Sequence, residues 1–208
     1  MRIVLFGATG GLGGLVLAEA LDRGHAVTAV LREPARLAVR HARLAVVAGD
    51  VRDHAAVAGL IAGHDAVVSC IGPGLLGGGL DVISAGMASI LAGVRASGAR
   101  RVVAVAAAGI LQEDGETLMR DAPGFPPALR AISAEHLRAY ELLRASGARW
   151  TLACPPTMAD GEGTGGYRAE RDYLPEGGER IAYADVALFI LDELESGAFV
   201  GSRVGIAD

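Results

Sequence analysis

An apolar stretch, Ile3-Val4-Leu5-Phe6, runs directly into Gly7-Ala8-Thr9-Gly10-Gly11-Leu12-Gly13, and few folds accommodate that junction. The apolar run suits a buried strand, and the residues from Gly11 onward have helical period, so the glycines must turn the chain sharply between the two. A turn without Cβ atoms lets an anion approach the N–H groups that open the helix, where the positive end of the helix dipole favours negative charge. The spacing is G-x-x-G-x-x-G, one residue wider than the usual dinucleotide fingerprint. Because the chain holds 30 glycines, a tight turn without a ligand is the plainer alternative. Placement on the first strand, ahead of an amphipathic helix, favours a dinucleotide pyrophosphate at Gly7, Thr9, Gly10, Gly11, Leu12 and Gly13.

The rest of the chain supports a sheet buried on both faces. Near-continuous Val, Ile and Ala runs predict strands over Arg2–Phe6, Ala26–Leu31, Leu44–Ala48, Ala66–Cys70, Val102–Ala106, Trp150–Cys154 and Arg203–Ile206. Helical period predicts helices over Gly11–Arg23, Pro34–Val39, His54–Ala62, Val82–Ser97, Ala128–Ser146 and Tyr183–Glu195, with Gly24, Gly98 and Gly147 placed as C-terminal caps. Alternation of this kind predicts an α/β fold: a single-domain, Rossmann-type doubly wound parallel sheet with helices on both faces, over residues 1–208. Two stretches, Gln112–Pro127 and Pro155–Arg180, are long for connections and follow strands at the carboxyl edge. They read as substrate loops, spanning 107–127 and 155–182 with their roots.

Composition narrows the function classes. A formal charge of −5 argues against nucleic acid, and no apolar run reaches the length of a membrane span. Too few apolar residues precede Gly7 for a signal-peptide core. A cytoplasmic protein acting on a small molecule, as a monomer or small homo-oligomer, is the expectation. Cys70 and Cys154 each end an expected strand, which suits reduced thiols, and the histidines show no metal-ligand spacing. All 19 basic residues are arginines. The absence of lysine excludes Schiff-base chemistry, a P-loop lysine and any Tyr/Lys catalytic pair.

The residue after the second strand discriminates between nucleotides. An acid there binds a ribose 2′-hydroxyl, whereas an arginine suits a 2′-phosphate. Here Leu31 leads into Arg32, with Arg36 one turn on, and two guanidinium groups can make charge-assisted contacts to phosphate. NADP(H) is therefore expected over NAD(H), although Glu33 could instead serve as the NAD-type acid and the arginines as plain surface residues. After the third strand, Asp50 and Val51 are placed to meet adenine; Asp50 could equally cap the helix that begins near Asp53. At the end of the fourth strand, Cys70, Ile71 and Gly72 would let a ribose lie against backbone, or simply turn the chain.

Taken together, Gly7–Gly13, Arg32 and Gly49-Asp50-Val51 resemble the atypical short-chain dehydrogenase/reductases, specifically the NmrA-like NAD(P)H-binding group. The segment His136–Gly147 followed by Trp150-Thr151 and Pro155-Pro156 is similar to flavin-reductase members of that group such as biliverdin reductase B. The resemblance implies that the nicotinamide lies near Ala107, Ala108, Cys154, Pro155 and Pro156. Ordinary members of the superfamily use Ser, Tyr and Lys for proton exchange. Aligned on Glu141, the Tyr and Lys positions fall on Ser133 and Leu137, and the serine region reads Ala106-Ala107-Ala108. Thr157 stands where biliverdin reductase B has a histidine after its proline pair.

Without a triad, an acceptor that can take its proton from water, such as a flavin or quinone, fits better than a simple carbonyl. The expectation is an NADPH-dependent reductase for a flavin-like, quinone-like or other conjugated acceptor. The alternative is a non-catalytic NADP(H) redox sensor of the NmrA kind. Candidate catalytic groups are His136, against a plain solvent-facing helix histidine, and Tyr140, whose spacing to Arg144 imitates Y-x-x-x-K but which could equally be packing. Cys154 could be redox-sensitive or inert. Tyr167 and Tyr173 are placed to line the substrate pocket, whereas Tyr140 and Tyr183 are expected to pack.

Overall fold

The computed structural model describes residues 1–73 and 79–208. Along them run β1 (Arg2–Phe6), α1 (Gly11–Asp22), β2 (Ala26–Leu31), β3 (Leu44–Ala48), α2 (His54–Ile61), β4 (Ala66–Ser69), α3 (Val82–Ser97) and β5 (Arg101–Val105). There follow α4 (Arg130–Ala145), β6 (Arg149–Cys154), β7 (Thr157–Ala159), β8 (Arg168–Arg171), β9 (Arg180–Ala182), α5 (Tyr183–Ser196) and β10 (Ser202–Ala207). The main sheet has the order β3-β2-β1-β4-β5-β6-β10-β8. Its pairs are parallel except β10 with β8, which is antiparallel.

Strand pleating divides the core between the two faces of this sheet. Ile3 and Leu5 of β1 point to the side covered by α1 and α5, with Val16, Leu17, Phe189 and Ile190. Val4 and Phe6 point to the other side, against Val57, Ile61, Ile90 and Leu143 of α2, α3 and α4. The doubly wound arrangement expected from the apolar runs is therefore present. The chain order reverses beside β1, with β2 on one flank and β4 on the other. In open α/β sheets that reversal leaves a crevice at the carboxyl ends of the strands. Among the described residues no helix is long and apolar enough to cross a membrane.

The structure corrects four local expectations. The helix expected at Pro34–Val39 is only a 3-10 turn over Pro34–Arg36, and Leu37 is already extended. A segment that short gains too few bonds to offset nucleation. The stretch 155–180 is not irregular: it carries β7 and β8 and leads into β9, with β7 paired to β9 and β8 added to the sheet edge. Asp53, not Asp50, caps α2, accepting from the Ala55 and Ala56 N–H groups at 3.1 and 3.0 Å. Asp50 closes an Asx turn from the Arg52 N–H at 2.9 Å. Finally, His136 does not face solvent; it is buried on α4.

Candidate functional site

The glycines after β1 divide into two that build the turn and two that leave it open. Gly7 has φ +90°, and a Cβ there would lie 2.5 Å from the Cys70 carbonyl oxygen of the neighbouring strand end. A Cβ on Gly13 would collide with the Gly7 carbonyl. Gly10, by contrast, has an ordinary extended backbone, and its Cβ would meet only the Gly7 oxygen at 3.4 Å. Among the described residues, a Cβ on Gly11 would meet nothing within 4 Å.

No side chain caps α1 and its first turn holds no acid. The Gly10 N–H closes the turn onto the Gly7 carbonyl at 3.0 Å, and the first N–H bonded into the helix is that of Gly14, to Gly10 at 2.9 Å. The intervening N–H groups of Gly11, Leu12 and Gly13 open onto a cradle exposed at Thr9, Gly10 and Gly11. Leu12 itself packs into the core, leaving only its backbone for a ligand. This cradle fits a pyrophosphate.

Beside it lies a cavity of about 50 Å³ lined by Thr9, Leu31, Arg32, Glu33 and Arg36. It joins the phosphate turn to the end of β2. Arg32, Glu33 and Arg36 are exposed, and among the described residues none of the three has a salt-bridge partner. A wider depression of about 390 Å³ lies away from the crevice against β3, between Val39, His41, Leu44 and Val46.

The remaining nucleotide candidates line the same strand ends. Val51 is buried against α3, where a Cβ on Gly86 would meet it at 3.1 Å. Cys70 donates its N–H to the Phe6 carbonyl at 2.9 Å, and burial pushes its thiol up to about 12. Ile71 is half-buried, while Gly72 is exposed, and among the described residues a Cβ on it would meet nothing within 4 Å.

At the other end of the crevice, the Ala106 N–H bonds the Ala153 carbonyl at 2.7 Å and the Ala108 N–H bonds that of Pro155 at 2.9 Å. These bonds draw Ala107 and Ala108 alongside Cys154, Pro155 and Pro156. Cys154 is fully buried, its thiol pushed up to about 12 by desolvation. A thiol held protonated in this way is a poor nucleophile. Ser133, at the position of the family tyrosine, is buried beside the 3-10 turn Ala108–Ile110, and a Cβ on Gly109 would sit 2.8 Å from its Oγ.

The two catalytic candidates occupy packed positions. His136 is buried, and among the described residues its Nδ1 has no partner. Desolvation lowers its pKa to about 4 against the opposing pull of Glu135, so the ring is neutral at physiological pH and holds no imidazolium proton to give. Tyr140 stacks edge-on against Trp150 with ring centres 5.8 Å apart, under the guanidinium groups of Arg203 at 4.9 Å and Arg144 at 5.7 Å. Its spacing to Arg144 therefore serves a cation–π contact.

Tyr167 turns away from the expected pocket wall to stack on Phe189 of α5, its hydroxyl donating to Asp192 at 2.5 Å. Tyr183 packs against the α1/α5 core, as expected. Tyr173 is exposed and its backbone pairs with Gln112, joining the two long loops. Sequence reasoning missed Arg203 and Asp172, whose side chains pair at 2.8 Å. A lone arginine inside the apolar strand Ser202–Ala207 was the available signal.

The model of the NAD(P)H-binding family matches residues 7–196. The chain belongs to that family. Membership accords with the resemblance to atypical short-chain dehydrogenase/reductases and supports a nicotinamide nucleotide as the cofactor. Three solved structures of this fold are similar along their whole length. A Burkholderia pseudomallei protein, provisionally named an exported protein, is 34% identical, covers 100% of both chains and has a TM-score of 0.89. One from Bacteroides thetaiotaomicron, provisionally named an epimerase, is 30% identical over 99% of this chain and 96% of its own, with a TM-score of 0.88. A third, from Streptococcus pneumoniae and provisionally named an NADH-flavin reductase, is 26% identical over 100% of this chain and 99% of its own, also at 0.88.

Proposed function

We propose that this member of the NAD(P)H-binding family is an NADPH-dependent reductase that passes hydride to a flat conjugated acceptor of the flavin or quinone kind. The observation that carries the reading is the cavity shared by Thr9, Arg32 and Arg36. It sets two guanidinium groups, without ion-pair partners among the described residues, next to the phosphate cradle, where a ribose 2′-phosphate would be met by charge-assisted hydrogen bonds. Glu33 lines the same cavity, one carboxylate beside two guanidinium groups, so the balance of charge there favours the 2′-phosphate.

Each part of the crevice has a binding task in this reading. The N–H groups of Gly11, Leu12 and Gly13 hold the pyrophosphate. Asp50 and Val51 flank the adenine, and the backbone of Cys70, Ile71 and Gly72 borders a ribose. Ala107 and Ala108, with Cys154, Pro155 and Pro156, form the floor for the nicotinamide, which supplies the hydride when bound. No phenol or ammonium group stands at Ser133, Leu137 or Ala106–Ala108. His136 is neutral and Tyr140 is stacked, so the acceptor takes its proton from water. That restricts the substrate to molecules whose reduced form is stabilised by conjugation. The provisional name of the pneumococcal relative agrees in its flavin acceptor and differs in naming NADH as the donor. Both cysteines are free, which suits a reducing compartment, so the reading places the enzyme in the cytoplasm.

The missing triad also favours a second reading, a sensor that binds NADP(H) without turning it over. Binding titrations with NADPH and NADH, followed by stopped-flow absorbance at the reduced-nicotinamide band against flavins and quinones, separate the two. Rapid oxidation of NADPH in preference to NADH supports the reductase. Tight binding with no oxidation across the panel overturns it in favour of the sensor.

A further inference from the structure

Arg203 enters the interior from β10 and is about 5% exposed. Its Nε donates to the Asp172 carboxylate at 2.8 Å, and its Nη1 donates to the Ile110 carbonyl. In the amide orientation that satisfies Gln112, the side-chain oxygen of that residue accepts from Arg203 Nη2 at 3.2 Å, while its nitrogen donates to the Thr117 carbonyl at 3.1 Å. The guanidinium plane also lies over the Tyr140 ring of α4. The backbones follow the same course: the Asp172 N–H bonds the Arg203 carbonyl at 3.0 Å, and the Gln112 N–H bonds the Asp172 carbonyl at 2.8 Å.

Ile110, Gln112 and Thr117 belong to one long loop of the crevice, and Asp172 belongs to the other. A single buried arginine thus fastens both loops to each other and to the sheet. Asp172 is, among the described residues, the one non-glycine residue with φ in the left-handed region, at +62°. Such a conformation persists only where surrounding contacts over-determine it. Burying a guanidinium costs desolvation that is recovered only in a fixed geometry, so this network holds one arrangement of the loops.

We propose that Arg203 and Asp172 are positioning residues for the acceptor, setting the separation of the two loops that border it. The inference rests on the reductase reading. The network touches neither the phosphate cradle nor the Arg32 cavity, where most of the nucleotide's contacts are proposed, and it approaches the nicotinamide floor only through the Ile110 carbonyl of the Ala108–Ile110 turn.

The test compares the unsubstituted protein with Asp172→Asn and Arg203→Lys. Asparagine tolerates the left-handed backbone and removes only the charge, on a side chain that is half exposed, so it keeps the test open if the buried lysine fails to fold. The expected result for Asp172→Asn is an acceptor KM raised fivefold or more, with NADPH affinity within twofold of the parent. Peptide-level hydrogen exchange should speed up in residues 110–119 and 170–174 and stay unchanged in β1 and α1. An unchanged acceptor KM alongside loosened loops overturns the positioning role and leaves the reductase reading intact, as does a KM change matched by equal loss of NADPH affinity. Failure of the unsubstituted protein to oxidise NADPH with any acceptor overturns the reductase reading and this inference with it.

Discussion

Gly13 crosses Gly7 so closely that a Cβ on the first would strike the carbonyl oxygen of the second, whereas a Cβ on Gly10, between them, would only touch that oxygen at 3.4 Å. The same turn therefore holds residues needed for folding and, on the proposed function, residues kept small for the ligand. Gly13→Ala is expected to destabilise the protein by about 3 kcal/mol, the scale of overpacking against rigid backbone. Gly10→Ala should cost no more than about 1 kcal/mol yet weaken both NADPH and NADH on the order of tenfold, by crowding the pyrophosphate. Urea denaturation and nucleotide titration of the two variants check the division.

Arg32→Ala removes a guanidinium that only a 2′-phosphate would engage. NADPH binding should weaken by about 1.5 to 3 kcal/mol, the range for hydrogen bonds to charged groups, while NADH affinity changes little. Calorimetric titration with both nucleotides reads the difference directly. Equal losses would remove Arg32 from the 2′-phosphate site.

Away from the crevice, Arg101 of β5 and Glu193 of α5 form a buried pair at 2.7 Å. Thr151 donates to the same carboxylate at 2.7 Å, and the Phe199 N–H donates to it at 3.0 Å. Burial lowers the Arg101 pKa against the opposing pull of the carboxylate. Glu193→Gln leaves that guanidinium uncompensated and should cost about 3 to 5 kcal/mol. Thermal and chemical denaturation test it, with nucleotide preference unchanged in the fraction that folds.

His136 links stability to pH. Its folded pKa, about 4, lies below the ordinary 6.5, so the unfolded chain binds the proton more readily. The histidine's contribution is fully present above pH 6.5 and is lost as pH falls from there through about 4. The loss should be on the order of 2 kcal/mol at about pH 5. Denaturation curves at about pH 7.5 and pH 5 should converge in His136→Gln, which carries no titrating ring at that site.

The apolar strands and helix periods made the sheet legible because each buried element repeats one physical signal along its length. Gly7 to Gly13 exposed the phosphate turn for the same reason: a fixed spacing has few structural uses. What escaped was short or relational. Arg168-Ala169-Glu170-Arg171 carries no apolar alternation, and only its antiparallel pairing with β10 makes it a strand. The start of α2 at His54 was legible, but Asp50 and Asp53 both precede it, and only the chain path shows that Asp53 caps the helix while Asp50 closes the turn before it. His136 could have been placed inside: Ser133, His136, Ala139 and Leu143 share one buried stripe of α4, but a histidine and a serine carry no hydrophobic signal of their own. The Arg203 network joins residues up to 93 positions apart, a separation that no local pattern encodes.

The antiparallel edge strand β8 lies within the long segment that follows β6, stitched to the final strand of the sheet. That segment cannot lengthen or shorten as a free loop would, since a one-residue shift would slide β8 out of register and invert its faces. Room for change remains on either side of the stitch, around Gly161–Gly166 and Leu174–Gly178. Relatives that diverge in acceptor range should therefore collect their insertions in those two intervals and keep the length between Arg168 and Arg171 constant.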